Sequence, residues 1–136
     1  MYQIYSKIDP SMLLHVINKR DDITEERTDL SPGTEFLQGA CKKVHKDHVF
    51  NAHYHIPNER ITTITQEAWV VMAGKIEGKY YDSDNTLLTT HVLSAGDVSI
   101  TFRGGHAMRI LEDNTLIYEF KTGPYLGQKK DKVWMT

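Results

Sequence analysis

Two histidines separated by a single residue, His53-Tyr54-His55, are the first feature of this sequence suited to chemistry. On a β-strand, residues i and i+2 point the same way with Cα atoms roughly 6.6 Å apart. Two such imidazoles can close on one cation at about 2.0–2.1 Å. Phe50, Ala52, Tyr54 and Ile56 then fall on the opposite face, where they would pack. Glu67 is the second feature. It opens the apolar stretch Ala68-Trp69-Val70-Val71-Met72-Ala73, where a carboxylate is costly to bury unpaired. Metal ligation would keep it ionised, and so would pairing with Arg60 or Lys75. The third feature is Gly104-Gly105-His106, a glycine-rich turn that delivers a histidine to the start of a strand. An interior neutral imidazole satisfied by a backbone carbonyl is the plain alternative for His106. Taken together, His53, His55, Glu67 and His106 make a mixed nitrogen and oxygen donor set suited to Fe(II), Mn(II), Ni(II), Zn(II) or Cu(II). An octahedral ion held by four such ligands keeps two positions for water or substrate, as Lewis-acid and oxygen chemistry require.

The elements that must position these residues read as strands. From residue 36 onward the apolar period is two. Candidate strands run from Phe36 to His45, Val49 to Ile56, Glu67 to Ala73, Ile76 to Tyr81, Thr86 to Leu93, Asp97 to Phe102, His106 to Leu111 and Thr115 to Lys121. The breaks carry turn chemistry, including Lys46-Asp47, Asp82-Ser83-Asp84-Asn85, Ala95-Gly96 and Glu112-Asp113-Asn114. Strand starts about 9–11 residues apart are the rhythm of a β-sandwich or barrel. Upstream, Leu13-Leu14-His15-Val16-Ile17 fits a short strand or a turn of helix capped by Asp9-Pro10-Ser11. Alternation groups His106, Met108 and Ile110 on one face, and Leu116, Tyr118 and Phe120 on another that is expected to point inward. Strand 67–73 is apolar on both faces apart from Glu67, so it is either central in its sheet or covered by a second layer or a partner. Residues 57–66 form the longest non-periodic piece, and the tail after Gly123 is expected to dock on the body through Trp134.

Composition narrows the function classes. The chain has 136 residues, the length of one domain, and 16 Lys and Arg against 18 Asp and Glu give a net charge of −2. No basic field points to nucleic acid, and no apolar run approaches the ~20 residues that span a bilayer. The single Cys41 cannot form an internal disulfide, and no signal peptide is evident, so a cytoplasmic location is expected. With one cysteine there is no thiolate set, and any metal site must be built from histidine and carboxylate. His15, His45, His48 and His91 lack convergent partners and read as surface or structural.

These residues resemble the cupin superfamily, whose first motif runs Gly-x5-His-x-His-x3-4-Glu-x6-Gly and whose second runs Gly-x5-Pro-x-Gly-x2-His-x3-Asn. The matches are His53-x-His55, Glu67-x6-Gly74, Gly96-Asp97, Gly104 and His106, over about residues 36–121. Eleven residues separate His55 from Glu67 where the motif has three or four, so Glu59, at the short spacing, competes for the carboxylate role. Glu67-x6-Gly74 favours Glu67. Phe102 stands where the motif has Pro, His106 comes one residue early, and the motif's leading Gly and its Asn are missing. More narrowly, Gln38, Glu59-Arg60, Thr65-Gln66-Glu67 and Gly123-Pro124-Tyr125-Leu126-Gly127 resemble small single-domain bacterial cupins associated with polysaccharide and sugar-nucleotide synthesis.

The resemblance implies an all-β, double-stranded β-helix, the jelly-roll-like sandwich barrel of cupins. One domain is expected over 1–136, with a β core at 36–121 and a tail at 122–136 packed on it. It implies one divalent transition metal (Fe, Mn, Ni or Zn) on His53, His55, Glu67 and His106, and a small carbohydrate-derived ligand. Isomerase or epimerase chemistry is the leading expectation, with an Fe(II) dioxygenase and a non-catalytic binding module as alternatives. Arg60, Trp69 and Tyr118 are candidate ligand contacts, Tyr118 also the candidate proton carrier. A homodimer is expected.

Overall fold

The structure, a computed structural model, describes residues 1–135. Its strands are β1 (Tyr2–Tyr5), β2 (Leu13–Asn18), β3 (Thr28–Asp29), β4 (Ala40–Cys41), β5 (Glu67–Ala73), β6 (Lys75–Tyr81), β7 (Leu87–Ser94), β8 (Val98–Thr101), β9 (Gly105–Ile110) and β10 (Leu116–Lys121). One short helix, α1 (Gln128–Asp131), lies in the tail. Five strands form an antiparallel sheet in the order β1-β2-β8-β5-β10, and three form a second in the order β7-β6-β9. β3 and β4 pair with each other. The fold is all-β, as the period-two pattern predicts. Among the described residues no pairing joins the two sheets into a closed barrel.

Alternation along β5 explains how the layers assemble. Trp69 and Val71 point between the two sheets and pack with Ile17, Ile76, Tyr80 and Leu93. Ala68 points the other way, into a cluster with Val16, Ile100 and Phe102 that Leu30 and Leu37 cover. β5 is thus both central, flanked by β8 and β10, and covered on its second face near its start. The turn into β6 needs Gly74, which sits at φ 75°. Only glycine adopts that conformation freely, and a Cβ there would strike Thr115. The β6–β7 turn is held by Asp82, whose carboxylate accepts the Ser6 hydroxyl at 2.7 Å and the Lys7 N–H at 2.7 Å. It is a hairpin turn that ties down the chain before β2.

Three expectations change. The stretch Leu13–Ile17 belongs to strand β2, every residue of which is buried. The β core therefore starts at β1 rather than at residue 36. The strand expected from Phe36 to His45 shrinks to Ala40–Cys41, and Val49 to Ile56 forms no strand. An alternating sequence becomes a strand only where it pairs with an edge, and among the described residues Val49 to Ile56 pairs with none. Finally, β10 faces the opposite way from its expected phase. The register sets Lys121 opposite Glu67, Glu119 opposite Trp69 and Phe120 opposite Ala68. Ile117, Glu119 and Lys121 therefore share the Trp69 face, while Leu116, Tyr118 and Phe120 are more than half exposed on the other.

Candidate functional site

A cavity of about 900 Å³ opens where the two sheets meet the tail. β5 contributes Glu67 and Trp69, β8 contributes Thr101, β9 contributes Gly105 to Met108, and β10 contributes Glu119. Arg103 and Gly104 come from the turn between β8 and β9, and residues 131–135 come from the tail. β9 and β10 are edge strands of their sheets, so each leaves one row of backbone groups without a strand partner among the described residues.

Glu67 is the centre of the site. The Trp69 indole N–H donates to its Oε1 at 2.8 Å, and the Lys121 ammonium donates to Oε2 at 3.0 Å. His106 Nε2 lies 3.3 Å from Oε1. Burial opposes ionisation of this carboxyl, but His106, Lys121 and the indole outweigh it and bring its pKa down to about 2. Glu67 is thus a permanent anion at neutral pH, an electrostatic anchor rather than a base. Lys121 in turn touches Glu119 at 2.7 Å and Asp131 of α1 at 3.7 Å. Burial disfavours its ammonium, yet Glu119 and Glu67 hold its pKa above the usual lysine range.

His106 packs edge-on against Trp69, with ring centroids 4.6 Å apart. Its Nδ1 is buried and has no hydrogen-bond partner among the described residues. Leaving such an atom unmatched costs about 1–3 kcal/mol, and unmatched groups of this kind concentrate at functional sites. The backbone that delivers His106 depends on Gly104 at φ 77°, where a Cβ would collide with the Tyr81 carbonyl and press on His15 Nε2. Arg103, beside it, is aimed by a partly buried chain of contacts. Its guanidinium meets Glu35 at 2.8 Å, Gln66 donates to Glu35 at 2.5 Å, and Gln66 accepts from Leu37 N–H at 2.7 Å.

Behind the cavity wall lies His15, fully buried. Its Nε2 lies 3.0 Å from the Tyr81 carbonyl and its Nδ1 lies 3.0 Å from Thr101 Oγ1. A carbonyl only accepts, so the proton sits on Nε2 and the Thr101 hydroxyl donates to Nδ1. Burial drives the pKa of His15 down to about 4 against the pull of the Tyr81 carbonyl, with His106 adding to the fall.

Comparison with protein-family models, with curated proteins and with solved structures found no match.

Of the residues singled out by sequence, the structure brings together Glu67, His106 and Trp69. His53 and His55 lie on the exposed stretch before β5, their rings edge-on at 5.4 Å, and neither lines the cavity. Glu59 and Arg60 are exposed on the same stretch. Tyr118, expected to face inward, is 58% exposed on the far face of β10 and does not reach the cavity. Among the described residues, no three His, Cys, Asp or Glu side chains converge to hold a metal ion. The position on Glu67 Oε2 that an ion would share is taken by Lys121. Within one chain as it stands, the four expected donors do not fit a common ion. Sequence reasoning missed Lys121, Glu119 and Arg103. The first two were placed on the wrong face of β10, and a strand phase anchored on the Glu67 register would have found them.

Proposed function

We propose that this cavity binds a small carbohydrate-derived ligand and moves a proton on it in an isomerase- or epimerase-type reaction, on a cupin-like variant of the β-sandwich. The observation that carries the reading is the ionised Glu67 beside His106 in the cavity wall. A carboxylate fixed as an anion next to an imidazole holds its tautomer and stabilises it when it takes up a proton, the arrangement that general acid–base catalysis needs. His106 is the proposed proton carrier, and Glu67 its positioning residue. Trp69 supplies an aromatic edge for a sugar ring, and Arg103 a bidentate cation for a phosphate or carboxylate.

A second reading has a specific observation in its favour. Glu67 is satisfied by three donors and His106 Nδ1 is enclosed, which suits a module that binds its ligand without turnover. Solvent exchange separates the two. A panel of nucleoside-diphosphate sugars and sugar phosphates is incubated with the protein in D2O and followed by proton NMR. An isomerase washes deuterium into the carbon next to the carbonyl of its substrate, and His106→Ala stops it. Stabilisation by a ligand with no exchange supports the binding module instead.

A further inference from the structure

The side of β10 turned away from the cavity is an apolar face with nothing on it. Leu116, Tyr118 and Phe120 form one row there and are 60%, 58% and 54% exposed. The Tyr118 and Phe120 rings lie 6.1 Å apart. Met72, 50% exposed, sits in the irregular register of β5 between the partners of Leu116 and Ile117. Across the sheet Tyr118 is opposite Val70, and Val70 is opposite Val98, so the row borders uncharged side chains. The charged residues of β10, Glu119 and Lys121, lie on the other face with Trp69 and Glu67. The chain covers the first half of this outer face itself, where Leu30, Leu37 and Cys41 pack with Val16, Ala68 and Ile100. That cover stops short of β10. Four half-open side chains of this size leave roughly 500 Å² of apolar surface to water, near the upper end for the largest patch of a monomer.

We propose that this face is the contact surface of a twofold dimer, the row Leu116-Tyr118-Phe120 with Met72 packing on the same row of a second copy. A twofold contact sets a patch against itself, so a charge near its centre meets its own like. This row carries none, which makes it complementary to its own copy. Two such faces together remove roughly 1,000 Å² from water, the size a stable contact must reach before its rim is counted. Sheets stack face to face about 10 Å apart with their side chains interdigitating, and the offset rings of Tyr118 and Phe120 suit that packing. A contact of this kind closes on itself, so assembly stops at two copies. The cavity lies on the opposite side of β10, and the tail keeps its place there. β10 is an edge strand with one strand neighbour, and the second copy holds it from a further side. The strand so held is the one that carries Glu119 and Lys121 to the cavity.

Sedimentation equilibrium of the full chain, with no ligand added, tests this. It is run through about 1–100 μM, the weak end of the affinities that interfaces of ordinary size reach. Twice the chain mass of 15.6 kDa is expected at the upper end. Tyr118→Lys and Phe120→Lys should each weaken association at least a hundredfold and leave a single-chain mass. Both positions are open to solvent in the single chain, so each variant keeps the cooperative urea unfolding of the wild type. Phe120→Ser, which adds no charge, is the milder variant and should weaken association at least tenfold. Val92→Lys, at a position 47% exposed on β7 of the other sheet, is the control and should stay dimeric. A wild type with a single-chain mass at every concentration overturns the proposal and leaves the face to a partner of another sequence. A dimer that survives both lysine variants, or that Val92→Lys dissociates equally, overturns it by placing the contact elsewhere.

Discussion

Mild acid should weaken this fold through one buried side chain. His15 has a folded-state pKa of about 4 against 6.5 for an ordinary histidine. Below pH 6.5 the unfolded chain takes up a proton that the folded chain refuses. The stability His15 supports is therefore fully present above pH 6.5, and it is lost progressively as the pH falls toward 4. The gap corresponds to about 3 kcal/mol, since each pKa unit is worth about 1.36 kcal/mol. His15 is fully buried, so solvent screening gives no reason to discount the figure. The perturbation is His15→Gln, which keeps a donor and an acceptor but cannot titrate. Urea unfolding is measured at pH 7.5 and pH 4.5 for both chains. At a slope of about 1.5 kcal/mol per molar urea, the wild type should lose roughly 2 M of midpoint more than the variant over that interval. At pH 7.5 the variant is the less stable of the two, because glutamine cannot fill the ring's place against Tyr80. Equal pH dependence in the two chains would refute the reasoning, since it would mean that His15 protonates as readily folded as unfolded.

The other expectations are more local. Glu67→Gln should cost about 1.5–3 kcal/mol at pH 7, the range for a hydrogen bond to a charged group, read as a lower urea midpoint. It should also remove the wild type's loss of stability as pH falls from 4.5 toward 2, because the depressed carboxyl pKa places that loss there. Gly104→Ala should lower the thermal midpoint by several degrees, since it combines a left-handed φ with a clash at the Tyr81 carbonyl. Tyr118→Phe should leave the ligand-induced thermal shift unchanged, whereas Trp69→Phe should reduce it.

The strands from Glu67 onward were legible because turn residues bound them and period-two alternation runs through most of them, and Glu67–Ala73 matches its expected bounds. The Glu67–His106 pair was legible too, as an unpaired-looking carboxylate at the mouth of an apolar strand and a histidine after two glycines. What could not be read was anything set by a partner strand. Alternation says which residues share a face of β10, but only the pairing of Lys121 with Glu67 says which face is inside. The same limit applies to Val49–Ile56, whose pattern is that of a strand although no strand among the described residues pairs with it. His15 is left open between a surface and a structural role in the sequence, because the two partners that make it structural, Tyr81 and Thr101, are remote along the chain.

The central claim is that the cavity around Glu67 and His106 is where this protein meets its ligand. Thermal stabilisation by the panel of nucleoside-diphosphate sugars and sugar phosphates, run on the wild type and on His106→Ala, tests it most directly. At least one compound should stabilise the wild type by several degrees and lose that effect in the variant. A panel with no binder, or a binder indifferent to His106, would contradict it.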